Sequence, residues 1–368
     1  TLVNPALAAT FRAMATHGVE DFYRGETARK IVEAVRNAPV NPGDLTMDDL
    51  AGYAIRERPL LCRPYHGYTV CSMTPPSSGG ITMLQALGML EHHDLTTVQP
   101  DGVQAVHLIS QATMLAFADR DRYIADPDFV EVPTEALLDP AYLAERAKLI
   151  SWGNVTAKPT AGVPPQLRNA PECPGVRHAE VPNTTHFSII DAEGNAVAMT
   201  SSVEYAFGSG MVAAGFILNN HMTDFAASPV DARGCKAVNR IEPNKRPRSS
   251  MSPTLVFDKA GNLVMTVGSP GGPRIIPYVL QTVIAVIDWK LGIQDAMNLP
   301  HYTNLTGKTE LEEGTPIARL KPALEKLGHE VVVREMNSGL HGVMVTPGKV
   351  RTLLGGDDPR REGVALAD

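Results

Sequence analysis

The spacing of apolar residues changes character partway along the chain. In the first 150 residues they recur at three- and four-residue intervals, the period of a helix buried on one face. Val3, Leu7, Phe11 and Met14 share such a face, so residues 3–38 are expected to be helical. Thr46 and Asp49 have the spacing of a capping box for a short helix. Tyr65 to Met73 reads as a strand running into Pro75-Pro76-Ser77-Ser78-Gly79-Gly80, with a helix following through about Glu91. A longer helix is expected over about 101–123, with Val106, Ile109, Ala112 and Phe117 as its apolar face. Its Asp119-Arg120-Asp121-Arg122 run fits either a solvated face or an internal ion-pair network. Residues 152–182 carry many Pro and Gly without periodicity and read as a linker-like surface segment.

From Thr185 the period becomes two. Thr185 to Asp191 and Ala196 to Thr200 alternate about Asp191-Ala192-Glu193-Gly194-Asn195. Thr254 to Asp258 and Leu263 to Val267 do the same about Asp258-Lys259-Ala260-Gly261-Asn262, so two antiparallel hairpins share one D-x-x-G-N turn. Val212 to Leu218 reads as another strand. Gly268-Ser269-Pro270-Gly271-Gly272-Pro273 then leads into a helix whose Ile275, Ile276, Val279, Leu280, Val283, Ile284 and Ile287 form one broad stripe. Pro273 suits its first turn, where the missing N–H would have no helical acceptor. Helices near 293–299 and 316–327 and strands near 330–335, 341–346 and 349–354 complete the chain. Helices, a sheet-rich centre and helices again suggest two sheets between helical layers.

Composition narrows the function classes. At 368 residues and 43% hydrophobic, the chain can bury a substantial core. A net charge of −7 and a single dense basic run, Lys245-Arg246-Pro247-Arg248, give no footprint for nucleic acid. That run reads as a structural or site-facing loop. Cys62, Cys71, Cys173 and Cys235 lack metal-ligand spacing, which argues against zinc and leaves room for a disulfide. The one adjacent histidine pair, His92-His93, reads as the solvated end of a helix, and neither a metal nor a cofactor is expected. Ile275 to Ile287 is shorter than the ~20 residues of a bilayer span, so it is expected to be a buried helix. Thr1 opens in mid-structure with neither initiator Met nor signal peptide, and an upstream segment is expected to have been removed or omitted.

Candidate chemistry centres on Asn183-Thr184, where the Pro/Gly-rich segment gives way to a strand. A Thr hydroxyl is a weak nucleophile unless a base lies beside it, and cutting the preceding peptide bond would provide one in the residue's own α-amine. The Gly268 to Gly272 loop, between a strand and a helix start, suits an oxyanion hole or a plain tight turn. It lacks the Gly-Lys-Ser/Thr ending of a P-loop. Ser249-Ser250-Met251-Ser252-Pro253 and Asn219-Asn220-His221-Met222-Thr223-Asp224-Phe225 are each ordinary polar loops when taken alone.

Their joint order is what identifies them. With Asn183-Thr184-Thr185-His186-Phe187-Ser188, Phe207-Gly208-Ser209-Gly210, Leu218-Asn219-Asn220, Lys245-Arg246-Pro247 and Gly268-Ser269-Pro270-Gly271-Gly272 with Arg274, the chain resembles the gamma-glutamyltransferase (gamma-glutamyltranspeptidase) family of N-terminal nucleophile hydrolases. Pro75 to Gly80, Ala118-Asp119-Arg120 and Asp126-Pro127-Asp128-Phe129 extend the resemblance over nearly the whole chain.

The resemblance implies an α+β fold, a four-layer αββα sandwich, made as a precursor that cuts itself between Asn183 and Thr184. Residues 1–183 would then be the C-terminal part of a large subunit and 184–368 the small catalytic subunit, both within one domain. Thr184 would attack a γ-glutamyl carbonyl, Gly271 and Gly272 would hold the oxyanion, and Ser202 would steady the nucleophile. Ser249 and Ser250 would bind the donor α-carboxylate and Asp224 its α-amine. Glu204 stands where many relatives have Asn, and His221 where Gln or Glu is usual; both are expected to line the amine pocket. The family's upstream part would hold core strands and an Arg gripping the donor carboxylate. The Asp224 to Ser249 stretch, a lid in other members, is short, which would open the site to larger donors or to water. Expected partners are a glutathione-like γ-glutamyl donor, an amino-acid or water acceptor and the two cleaved subunits; family resemblance leans toward a periplasmic or extracellular location. The competing expectations are a cephalosporin-type or poly-γ-glutamate acylase, or an unprocessed, non-catalytic homologue.

Overall fold

The computed structural model describes residues 3–155, 160–167, 183–230, 234–305, 307–346 and 351–367. Cys173 and Pro182 lie outside them, as does most of the Pro/Gly-rich segment. The chain divides into two compact units, Thr1–Arg58 with Ser202–His221, and Pro59–Ser201 with Met222–Asp368.

The first unit opens with α1 (Pro5–His17), α2 (Glu20–Arg24), α3 (Glu26–Arg36) and α4 (Met47–Ala51). The side chain of Asn4 caps α1 by accepting from Leu7 N, and Pro5 occupies the first turn. The apolar face expected here is not buried: Val3 is 78% and Phe11 60% exposed. Polar contacts dock the helix instead. Thr10 Oγ1 donates to Ala214 O (2.7 Å) and Asn4 Nδ2 to Gly215 O (2.7 Å). The capping box of α4 is present in both directions, Asp49 N to Thr46 Oγ1 and Thr46 N to Asp49 Oδ2.

The second unit begins with a hairpin, β1 (Leu61–Tyr65) and β2 (Tyr68–Ser72), joined by a Cys62–Cys71 disulfide. The strand expected over Tyr65 to Met73 is β2, and β1 ahead of it was not expected; the two turn at His66-Gly67, where His66 takes a positive φ that only its glycine neighbour advertises in the sequence. Next come α5 (Gly79–Leu90), α6 (Val103–Tyr123), α7 (Thr134–Leu137), α8 (Pro140–Ala147), β3 (Thr184–Ile190) and β4 (Ala196–Ser202). The chain then contributes β5 (Val212–Ala213) and β6 (Phe216–Ile217) to the first unit, two short strands where one was expected, because Ala214 and Gly215 both take positive φ and reverse the chain. It continues as β7 (Thr254–Phe257), β8 (Leu263–Gly268), α9 (Ile275–Ile287), α10 (Ile293–Asn298), β9 (Tyr302–Asn304) and β10 (Thr309–Glu312). Last are α11 (Lys321–Lys326), β11 (Val331–Arg334), β12 (His341–Thr346) and β13 (Thr352–Asp357).

A six-stranded antiparallel sheet ordered β1-β2-β7-β8-β12-β13 organises this unit. Pleating sends Val256, Met265 and Val267 into one core with α5, α6 and α9. All thirteen residues of α9 are buried, as an all-round apolar helix requires. Thr266 and Gly268 alternate to the opposite face and meet the β3–β4 hairpin. The described residues of this unit thus form a mixed α/β arrangement. A separate three-stranded sheet, β11-β10-β9, adds strands that the apolar pattern had not disclosed in β9 and β10. No helix among the described residues is long and apolar enough to cross a membrane.

Two charge runs are internal. Asp119 is buried and accepts from Tyr142 Oη (2.7 Å), Gln85 Nε2 (3.0 Å) and Gly162 N (2.7 Å); burial pushes its carboxyl up despite these donors and Arg146. Lys245 Nζ binds Val238 O and Glu242, while Arg248 binds Arg120 O and Asp121. His93 has its ring beside Trp152 and is half-buried rather than solvated.

Candidate active site

β3 starts at Thr184 and crosses β8 in a fixed sequence of contacts. The His186 ring lies over Gly268, where an added Cβ would come within 2.3 Å of Cε1. Two residues on, Ser188 Oγ is 3.2 Å from Thr266 Oγ1. The strands therefore advance in opposite directions, with Thr184 at the end of β3 toward which β8 runs. Gly271 and Gly272 follow β8. Their φ values of 141° and 58° suit glycine, and a Cβ on Gly271 would meet the Tyr278 ring at 2.8 Å. Among the described residues neither amide N–H has an acceptor, and both stand at the approach to α9. Two unengaged amides at a helix start are the kind of donors that acyl transfer uses for an oxyanion.

His186 fixes this crossing. Its Nδ1 is 2.8 Å from Thr200 Oγ1 and its Nε2 3.1 Å from Ser188 Oγ. Burial, with a smaller contribution from His341, pushes its pKa down to about 3, so the ring stays neutral. Arg361 holds the other side of the junction: Nη1 donates to Thr184 O (3.0 Å), while Nε and Nη2 both reach Asn337 Oδ1 (3.0 and 2.6 Å). The Asn337 loop is itself anchored by buried Asp358, which accepts from Ser338 Oγ (2.5 Å) and Leu340 N (3.1 Å). Burial raises the Asp358 carboxyl, but hydrogen bonds from His301 and Ser338 outweigh it and hold the group below the usual carboxylate range.

Ser249 and Ser250 lie against the Pro75–Gly80 loop. Ser249 N donates to Pro76 O (3.1 Å), and Ser249 O accepts from Ser78 N and Oγ, both at 2.7 Å. Ser250 Oγ accepts from Arg120 Nη2 at 2.7 Å. Asp224, buried at the end of the 3₁₀ turn His221–Asp224, is tied to this segment by one side chain. Asn239 donates Nδ2 to Asp224 O (2.7 Å) and accepts from Arg248 N (3.0 Å).

The first unit gathers the other three candidates. Ser202 Oγ accepts from Glu204 N at 2.8 Å, and His221 Nε2 is 3.1 Å from Ser202 O. A carbonyl can only accept, so Nε2 carries the proton, and Nδ1 lies 3.9 Å from Glu204 Oε2. Glu204 is buried with φ of 77°, an unusual conformation for a side-chain-bearing residue. Thr184, Asp224, Ser249, Ser250, Gly271 and Gly272 belong to the second unit. Arg361, His186 and Arg120 escaped the sequence reading as site residues; His186 and Arg120 stood inside runs singled out for other reasons, and no spacing marks a residue that acts by holding its neighbours.

The gamma-glutamyltranspeptidase family model matches residues 1–368. The chain is 39% identical over 368 residues to the glutathione hydrolase proenzyme of Escherichia coli K12, covering 98% of this chain and 60% of that one. It is 36% identical over 378 residues to the glutathione hydrolase proenzyme of Bacillus subtilis 168, covering 100% and 62%. It thus spans about three fifths of the length of these relatives. Among solved structures, a cephalosporin acylase from Bacillus halodurans superposes with a TM-score of 0.82 at 26% identity, covering 97% of this chain and 61% of that one.

Proposed function

The chain belongs to the gamma-glutamyltranspeptidase family, and from that membership we propose that it is a self-processing γ-glutamyltransferase and glutathione hydrolase. The observation that carries this reading is Thr184 at the head of β3, a strand that crosses β8 ahead of the unengaged amides of Gly271 and Gly272. In the proposed sequence, the Thr184 hydroxyl first attacks the Asn183 carbonyl, the N-to-O acyl shift frees the α-amine of Thr184, and hydrolysis of the resulting ester releases the Asn183 carboxylate and restores the Thr184 hydroxyl. The fold is then the four-layer αββα sandwich to which 1–183 and 184–368 both contribute.

The freed amine takes the proton from Thr184 Oγ as it adds to the γ-glutamyl carbonyl of the donor. Negative charge on the carbonyl oxygen is met by the Gly271 and Gly272 N–H groups, a contribution of about 3–4 kcal/mol per donor in comparable sites. Collapse expels the amine half of the donor with the proton, leaving a γ-glutamyl ester on Thr184. Water or an amino acid then repeats the addition and releases the acyl group. Ser249 and Ser250 receive the donor α-carboxylate, Asp224 its α-amine, Ser202 steadies the nucleophile, and Glu204 and His221 line the amine pocket.

Release of p-nitroaniline from γ-glutamyl p-nitroanilide tests the reading. Turnover that requires Thr184 supports it; a processed protein inert on every γ-glutamyl donor refutes it. A second reading, an acylase, is favoured by the likeness to the cephalosporin acylase and by Glu204 and His221 at positions where relatives differ. Preference for a glutaryl over a γ-glutamyl donor would select it, since only the latter presents an α-amine to Asp224.

A further inference from the structure

Arg120 lies in the last turn of α6, is almost fully buried, and spends its guanidinium on two hydroxyls from separate loops. Nε donates to Ser78 Oγ at 2.8 Å and Nη2 to Ser250 Oγ at 2.7 Å. Ser78 in turn gives both its backbone N–H and its hydroxyl to Ser249 O. One rigid fork therefore sets both members of the serine pair, Ser250 directly and Ser249 through Ser78. The remaining Nη1 is 3.1 Å from Asp121 Oδ1, which also receives Arg248 Nη2 at 3.3 Å. That contact aims the fork. A lysine has no planar array to reproduce these directions.

Resting on the functional reading above, we propose that Arg120 is the positioning residue of the donor-carboxylate subsite, and that the Pro75–Gly80 loop is its second wall. With Ser250 Oγ accepting from a cation, its O–H is polarised and becomes a stronger donor to a carboxylate. Arg120 does not touch the donor. It sets where the two serine hydroxyls stand and how strongly one of them binds a negative charge, and it discriminates donors by whether they carry the α-carboxylate.

The test compares γ-glutamyl p-nitroanilide with 4-aminobutyryl p-nitroanilide, which keeps the amine and lacks the carboxylate. Arg120→Met and Arg120→Lys are each expected to lose about 10- to 100-fold more kcat/KM on the first donor than on the second, mainly through KM. Ser250→Ala should show the same bias, and adding it to Arg120→Met should cost little more, since both remove one interaction. Equal losses on the two donors, or full additivity with Ser250→Ala, overturn the proposal. If Arg120→Met fails to fold, the donor ratio of Arg120→Lys decides alone. Wild type inert on both anilides refutes the functional reading instead. The role of Arg120 is then judged by thermal shift, where L-glutamate should stabilise wild type more than 4-aminobutyrate does and the difference should vanish in Arg120→Lys; its persistence would sink the role.

Discussion

Replacing Gly268 by Ala tests the contact that places Thr184. The new Cβ would stand 2.3 Å from Cε1, 2.4 Å from Nδ1 and 2.8 Å from Nε2 of His186. Restoring ordinary carbon contact, near 3.5–4 Å, moves the ring or the strand by roughly 1 Å or more. The ring has no inexpensive escape. Its nitrogens are bound to Thr200 and Ser188, and it is buried, so leaving these partners costs about 1–3 kcal/mol for each bond lost. Gly268→Ala is therefore expected to destabilise the fold by roughly 2–5 kcal/mol, read as a lower urea midpoint at unchanged slope. Moving β3 also shifts Thr184 relative to Gly271 and Gly272, and a misplacement near 1 Å is expected to slow self-cleavage about 100-fold. A double-mutant cycle with His186→Ala, which removes the obstructing ring, should return a coupling of roughly 1–3 kcal/mol. Unchanged urea midpoint and cleavage rate in Gly268→Ala would refute the crossing of β3 over β8 described here.

Two further outcomes are expected. His107 Nδ1 and His329 Nε2 are 2.7 Å apart in the core, and burial followed by repulsion from His107 pushes His329 down to about 4. Because the fold disfavours the charged ring, the unfolded chain takes up its proton first: stability is full above about pH 6.5 and falls as the pH drops toward 4, by roughly 2–3 kcal/mol for His329. Urea midpoints measured between pH 7 and 4 should show this slope, reduced in His329→Gln, and a flat profile would contradict it. Arg361→Met removes the donor to Thr184 O and both bonds to Asn337. It should slow appearance of the 184–368 fragment by about 10- to 100-fold, followed on a gel, and a wild-type rate would show the carbonyl anchor to be idle.

Much of the fold could be read from local chemistry. The two D-x-x-G-N turns are built as their composition implies, with Asp191 and Asp258 each accepting from the backbone and side-chain nitrogens of the Asn four residues on. The α9 helix was legible because an unbroken apolar stripe has one economical home in a core, while Pro273 falls in the 3₁₀ turn Gly272–Arg274 that leads into it. What failed were elements decided by tertiary partners. Val3 and Phe11 have helical spacing but face outward, because α1 is docked through Thr10 and Asn4. β9 and β10 are too short for a period to declare itself, and they exist through pairing with each other and with β11.

The candidate site divides in the same way. Asn183-Thr184, the serine pair and the double glycine were singled out by their joint order along the chain, since each alone reads as an ordinary loop. His186, Arg361 and Arg120 act through others, and only distances reveal them. The charge run at Asp119–Arg122 had two readings, and burial chose the internal network for Asp119, Arg120 and Asp121.

The most direct test of the central claim is the N-terminal sequence and intact mass of the purified protein, for wild type and Thr184→Ala. The account predicts a wild-type fragment beginning Thr184-Thr185-His186-Phe187, and a Thr184→Ala chain that stays whole and releases no p-nitroaniline. A wild-type chain that remains whole yet turns over γ-glutamyl p-nitroanilide, or a Thr184→Ala protein that still cleaves at this bond, would contradict it.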